Sequence, residues 1–191
     1  TETLTFNTAN ITTTGTGLLI SNTVTPFDSN GLISFGGGGL STTQGTAINA
    51  TNANLQANFS TVNAGTAATG ISLNASGSNG ATGISIGTTT LTGITGTGVF
   101  LLNNEPVGNA LGSYADFGIL SISGTGTTGI SVAGTNASFS GASIDGFTTG
   151  VSLTSSLTGA LGTEPTIFGM QSSSINNATT GVSLSSTNVN N

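Results

Sequence analysis

The sequence predicts an all-β chain wound as a parallel solenoid, and three observations lead there. A short phrase returns along the whole length, apolar and polar residues alternate within it, and no run of apolar residues keeps helical spacing. The phrase stands at Thr69-Gly70-Ile71-Ser72-Leu73, Thr82-Gly83-Ile84-Ser85-Ile86, Thr128-Gly129-Ile130-Ser131-Val132, Thr149-Gly150-Val151-Ser152-Leu153 and Thr180-Gly181-Val182-Ser183-Leu184. Looser copies lie at Thr16-Gly17-Leu18-Leu19-Ile20, Thr46-Ala47-Ile48-Asn49-Ala50 and Thr97-Gly98-Val99-Phe100-Leu101.

Within the phrase, period-two alternation sends the two aliphatic residues to one face and the residue between them to the other, as in a half-buried strand. The expected inward file is Leu18, Ile48, Ile71, Val99, Ile130, Val151 and Val182, and a second runs through Ile20, Ala50, Leu73, Leu101, Val132, Leu153 and Leu184. The outward file between them, Leu19, Asn49, Ser72, Phe100, Ser131, Ser152 and Ser183, is mostly polar. The preceding glycine suits a corner that needs either positive φ or close backbone approach.

Successive members of the first inward file are 30, 23, 28, 31, 21 and 31 residues apart. The shortest gap holds three short strands and three turns, so the longer ones carry insertions rather than a different fold. A second element supports this division: the step from Phe139 to Ile144 recurs from Phe117 to Ile122 and from Met170 to Ile175. Thr82-Gly83-Ile84-Ser85-Ile86 falls between Ile71 and Val99 and is assigned to a different side of its coil. The insertions, near residues 21–31, 74–81, 102–115 and 154–166, all follow the same strand and are expected along one lateral side. Gly, Thr and Ser interrupt every window that a helix would need. About seven coils at about 4.8 Å each make a rod about 34 Å long.

Composition narrows the chemistry. The 191 residues include no Lys, Arg, His, Cys or Trp, and six carboxylates give a net charge of −6. Without cations there is nothing to neutralise phosphates, which excludes nucleic acid as a partner, and an anionic membrane repels the chain. No apolar run is long enough to span a bilayer, so direct membrane insertion is not expected. Catalysis by His, Lys or Cys is excluded, and the isolated carboxylates form no hydrolytic pair, so no catalytic residue is assigned and the chain is read as a non-enzyme. Asp145-Gly146 reads as a turn pair, and Gly36-Gly37-Gly38-Gly39 as a bend or bulge. The Asn-x-Ser/Thr sequons are no more frequent than this composition produces by chance.

The candidate sites lie on the insertions. Glu105, Asp116 and Glu164 are the candidate ligands for calcium, and no other cofactor or metal is expected. Phe100, Asn103, Asn104 and Tyr114 are the candidate contacts for a carbohydrate on the insertion-loop side. A Thr-rich solenoid also raises an ice-binding function, for which the outward Ser file is broken by Leu19, Asn49 and Phe100.

The repeated Thr-Gly-(Ile/Val)-Ser-aliphatic phrase, in its Ser, Thr, Asn and Gly background, resembles the right-handed parallel β-helix of secreted bacterial surface proteins, of the autotransporter-like passenger and β-strand-repeat adhesin type. The resemblance covers nearly the whole chain. It implies one β-solenoid domain over residues 1–191, a fragment or mature portion of a longer chain. The implied function is a non-enzymatic extracellular structural protein at a bacterial cell surface, a stalk, adhesive rod or self-assembling filament subunit. Its expected partners are itself, by end-to-end stacking, or a host or surface glycan or protein.

Overall fold

In the computed structural model the chain is all-β, a parallel β-helix of seven coils. The structure describes residues 3–21, 32–74, 77–78, 83–102, 104–106, 115–155 and 168–186. Fifteen strands join in one parallel sheet that winds around the axis without closing on itself, and a two-stranded piece stands beside it.

Each coil has three sides. The first begins at Thr3–Phe6, Leu32–Phe35, Leu55–Asn74, Ile84–Leu102, Ala115–Gly124, Ala137–Asp145 and Phe168–Met170 in successive coils. Two of these strands, Leu55–Asn74 and Ile84–Leu102, stay extended around the corners and supply all three sides of their coils. The register slips by one residue at the second corner, between Ala67 and Thr69 and between Ile122 and Gly124, where a bulge turns the chain.

The third side carries the repeated phrase in the register read from the sequence. Leu18 lies beside Ile48, then Ile71, Val99, Ile130, Val151 and Val182, and the file from Ile20 to Leu184 runs parallel to it. Ile48, Ile71, Val99, Ile130 and Val151 are fully buried. Burying each such side chain contributes about 1.5–3 kcal/mol. On the second side, Ile122 lies beside Ile144 and Ile144 beside Ile175, while Phe117 and Phe139 pair on the first, as the repeated step predicts. Ile84 belongs to the first side, between Ala57 and Ala115, so this copy of the phrase does serve another side.

Two aromatic ladders fill the first side. Phe6 stacks on Phe35 with centroids 5.0 Å apart, and Phe35 tilts against Phe59. Phe117 stacks on Phe139 at 4.9 Å, and Phe139 tilts against Phe168. Ile86, level with Phe59 and Phe117, separates the two ladders.

The phrase glycines serve close approach. Positive φ is confined, among the described glycines, to Gly38, Gly45, Gly93, Gly134 and Gly146. A Cβ on Gly70 would instead lie 2.7 Å from the carbonyl oxygen of Gly98 and 2.7 Å from Leu91 Cδ1, both in the next coil. Gly98 meets Gly129 and Ile122 in the same way, and Gly150 meets Gly181 and Ile175. The inward file they press against reads Thr42, Ala64, Leu91, Ile122, Ile144 and Ile175. Its one alanine, Ala64, falls in the coil after Ala47, the position where the phrase carries alanine instead of glycine. Small beside small, and glycine beside large, keeps the coil spacing constant.

The other turn readings hold locally. Gly38, at φ 116°, opens the strand Gly38–Gln44, so the glycine run is a bend into a strand. Gly146, at φ 85°, follows Asp145 at a corner.

Candidate functional site

Three parts of the surface are set apart from the repeating body: the corner from which the insertions leave, the polar files on the outer faces, and the two ends.

The insertions depart from one place. Ser21, Thr51, Asn74, Leu102, Ala133 and Thr154 lie side by side in a single file at the end of the third side. The chain leaves for an insertion after Ser21, Asn74, Leu102 and Ser155, and turns directly into the next coil after Thr51 and Ala133. Asn52 and Gly134, at φ 47° and 54°, make the two direct turns. Two insertions continue the ladder for a step, with Glu105 beside Gly77 and Pro106 beside Ser78.

Asn104 fixes this corner from inside. It is fully buried, and its Nδ2 donates to the carbonyl of Leu73 at 2.8 Å and to Thr135 Oγ1 at 3.3 Å. Its backbone N–H donates to the same hydroxyl at 3.0 Å, and Thr135 Oγ1 donates onward to Ala133 O. Three successive coils are joined through one side chain at the point where the ladder would otherwise be interrupted. A buried amide is tolerated because its hydrogen-bonding groups find partners there.

This arrangement changes the carbohydrate candidates. Asn104 faces the interior and is engaged with the backbone, so it is not a surface contact. Phe100 is half-buried on the outward file, between Ser72 and Ser131. Asn103 and Tyr114 lie outside the described residues.

Of the calcium candidates, Asp116 accepts a hydrogen bond from Ser138 Oγ of the next coil. The backbone of Glu105 is in the two-stranded ladder, and Glu164 lies outside the described residues. Among the described residues no three acidic side chains gather at one point. Asp145 accepts from Asn177 Nδ2 at 2.7 Å, again one coil to the next. The two carboxylates described in full therefore act as acceptors between coils.

On the outer faces, the longest hydroxyl array is not the Ser file examined from the sequence. Thr69, Thr97, Thr128, Thr149 and Thr180 lie in unbroken register, and Thr46 and Thr16 hold the same place in the phrase. These threonines precede the buried glycines and are half-buried or exposed. The signal was present in the phrase itself, whose first residue hardly varies. Such a face offers neutral donors and acceptors and no charge.

The ends differ from the body in one respect, which is apolar exposure. Val182 is 54% exposed and Leu184 74%, whereas Val151 and Val132, in the same two files, are fully buried. At the other end Leu4 and Phe6 are 55% and 41% exposed. No family model matches the chain, and neither a curated protein nor a solved structure matches it significantly.

Proposed function

We propose that the chain is a non-enzymatic structural protein, a segment of an extracellular rod at a bacterial cell surface that serves as a stalk, adhesive rod or filament subunit. The observation that carries this reading is the continuous register of seven coils along both inward files of the third side. The sequence invests its regularity in stacking. Nearly every large aliphatic or aromatic residue of the described coils faces inward, and hydroxyls and amides face out. A quasi-one-dimensional protein of this kind transmits length and stiffness, because each coil is held by its two neighbours.

The chemistry of the side chains supports the same conclusion. With no Lys, Arg, His or Cys there is no general base of those types, no thiolate and no cationic anchor for an anionic substrate. The described carboxylates are engaged between coils. The resemblance of the phrase to the β-helices of secreted surface proteins supports the extracellular setting. A neutral Ser- and Thr-rich exterior fits a spacer that keeps its surroundings at a distance or carries an adhesive surface.

Immunogold labelling of the source cells tests the proposal. Label on intact, unpermeabilised cells, at a distance from the envelope, is the expected result. Label that appears only after permeabilisation overturns it.

A further inference from the structure

We propose that the two ends of the chain are the halves of one junction, and that a second copy of this chain supplies the coil that each end lacks. The strands Phe168–Met170, Ser174–Asn176 and Thr180–Ser186 of one copy would receive Thr3–Phe6, Ala9–Thr13 and Leu18–Ser21 of the next as a continuing coil, in parallel register. This inference rests on the structural reading above and names its partner and register.

Among the described residues, the first coil pairs only with the second and the last only with the sixth, so each end leaves one row of backbone groups unpaired. Unpaired edges of this kind are templates for strand addition. The side chains above those edges are the apolar ones left exposed: Val182 and Leu184 at one end, Leu4 and Phe6 at the other.

The files decide the register. Phe6, Phe35, Ala57, Ile84, Ala115, Ala137 and Phe168 occupy one ladder position in the seven coils. Continuing that ladder into a second copy sets Phe6 beside Phe168, which extends the aromatic ladder already formed by Phe117, Phe139 and Phe168. The same operation sets Leu18 beside Val182, Ile20 beside Leu184 and Ser21 beside Ser185. Apolar meets apolar, and hydroxyl meets hydroxyl. The described residues of both terminal coils contain no carboxylate, so no like charges meet at the seam.

Like ends do not fit in this way. Joining two first coils or two last coils reverses the strand direction and takes the inward files out of line. The head-to-tail arrangement is heterologous, and a translation along the solenoid axis does not close, so it generates an open fibre. The net charge of −6 per copy opposes close approach, and added salt screens it.

The chain has no cysteine, which makes the test direct. Leu19 and Ser183 share an outward file, so Leu19→Cys and Ser183→Cys are purified separately, mixed and oxidised. Adjacent parallel strands place such residues within reach of a disulfide or a short thiol cross-linker. The mixed 19–183 link is expected to dominate and to increase with salt and protein concentration, while each variant alone stays unlinked. Adding Leu184→Asp to the Ser183→Cys chain is expected to abolish the link with an unchanged far-UV circular dichroism spectrum. Links between like residues overturn the junction. So does the absence of any link in a mixture whose spectra show both partners folded. In that last case, monodisperse short rods in the electron microscope leave the rod function standing while the junction fails.

Discussion

The column of phrase glycines makes a quantitative claim, and Gly98→Ala tests it. The position has no positive φ, so alanine is allowed by the backbone, and the whole effect is one of contact. An added Cβ would lie 2.5 Å from the carbonyl oxygen of Gly129 and 2.7 Å from Ile122 Cγ2, both in the next coil. A side chain can move aside, but a laddered carbonyl moves only with its strand. Overpacking of this kind costs about 1–3 kcal/mol. Gly15→Ala is the matched control, since a Cβ there meets nothing within 4 Å, and it is expected to be neutral or stabilising by about 0.4–1 kcal/mol. Ile122→Ala removes one of the two obstacles and by itself costs about 2–5 kcal/mol, because Ile122 is buried. Combined with Gly98→Ala it should cost less than the sum, with a coupling of about 0.5–3 kcal/mol, as the pairing of Ala47 with Ala64 implies. Urea unfolding followed by far-UV circular dichroism, with m-values compared to check for a common transition, measures all four variants. If Gly98→Ala is as harmless as Gly15→Ala, or the double variant is strictly additive, close approach does not explain the phrase.

Three further outcomes follow from the interior. Thr89 is fully buried between Val62 and Leu120, and its hydroxyl has no hydrogen-bond partner, so Thr89→Val is expected to raise stability by about 1–3 kcal/mol in the same urea assay. Asn104→Ala should lower stability by about 1–3 kcal/mol, by leaving the Leu73 carbonyl without its amide donor; native-state hydrogen exchange should show the loss concentrated in the coils around Leu73 and Thr135. Phe139→Leu removes the central ring of a three-ring ladder and should cost about 0.5–1.5 kcal/mol beyond its lost area, whereas the same change at Phe147, which is buried but absent from both ladders, should show only the area term when melting curves are compared.

Much of the fold was legible because one physical period controls it. Thr-Gly-Ile-Ser-Leu fixes which residues face inward, and the repeat fixes which residues stack. Both inward files and the outward file of the third side follow from those two facts. The different placement of Ile84 was legible too, because Ile71 and Val99 already occupied the third side of their coils. What the period does not control was less accessible. Asn104 lies two residues beyond a strand, at a corner where the direction of a side chain depends on the turn, so a loop position suggested a surface contact and the fold made it a buried brace. Thr89 was predicted inward by alternation, but nothing in the sequence indicates that its hydroxyl goes unpaired. The function was legible least of all. Its recognition features, if hydroxyl files and open ends are the means, use the most frequent residue types in the chain and carry no distinctive chemical signature.

The exclusion of cations has a structural consequence that links the interior to the surface. A charged pair on adjacent coils would have to fit a fixed coil spacing, and exposed pairs contribute little in any case. This chain instead connects coils with neutral hydroxyls and amides: Ser185 Oγ donates to Thr154 Oγ1, Ala142 N donates to Ser173 Oγ, and Gly39 N donates to Asn10 Oδ1. Short side chains of this kind span one coil spacing with little loss of rotamer freedom, and the same residue can accept from one neighbour and donate to another. Repetition is then possible without like charges stacking upon each other, which a file of repeated Lys or Glu would impose at every coil. The same rule extends to the ends: a surface whose every file tolerates its own repetition is suited to stack on a copy of itself. Adding one Lys to the outward file, at Ser152, should leave a single chain folded and barely change its stability, whereas Lys at Ser131, Ser152 and Ser183 together sets like charges beside each other in register and should lower the melting temperature at low salt, with recovery as salt is added. Equal melting temperatures for the single and triple variants at low salt would show that register places no limit on charge, and the neutral composition would then need another cause.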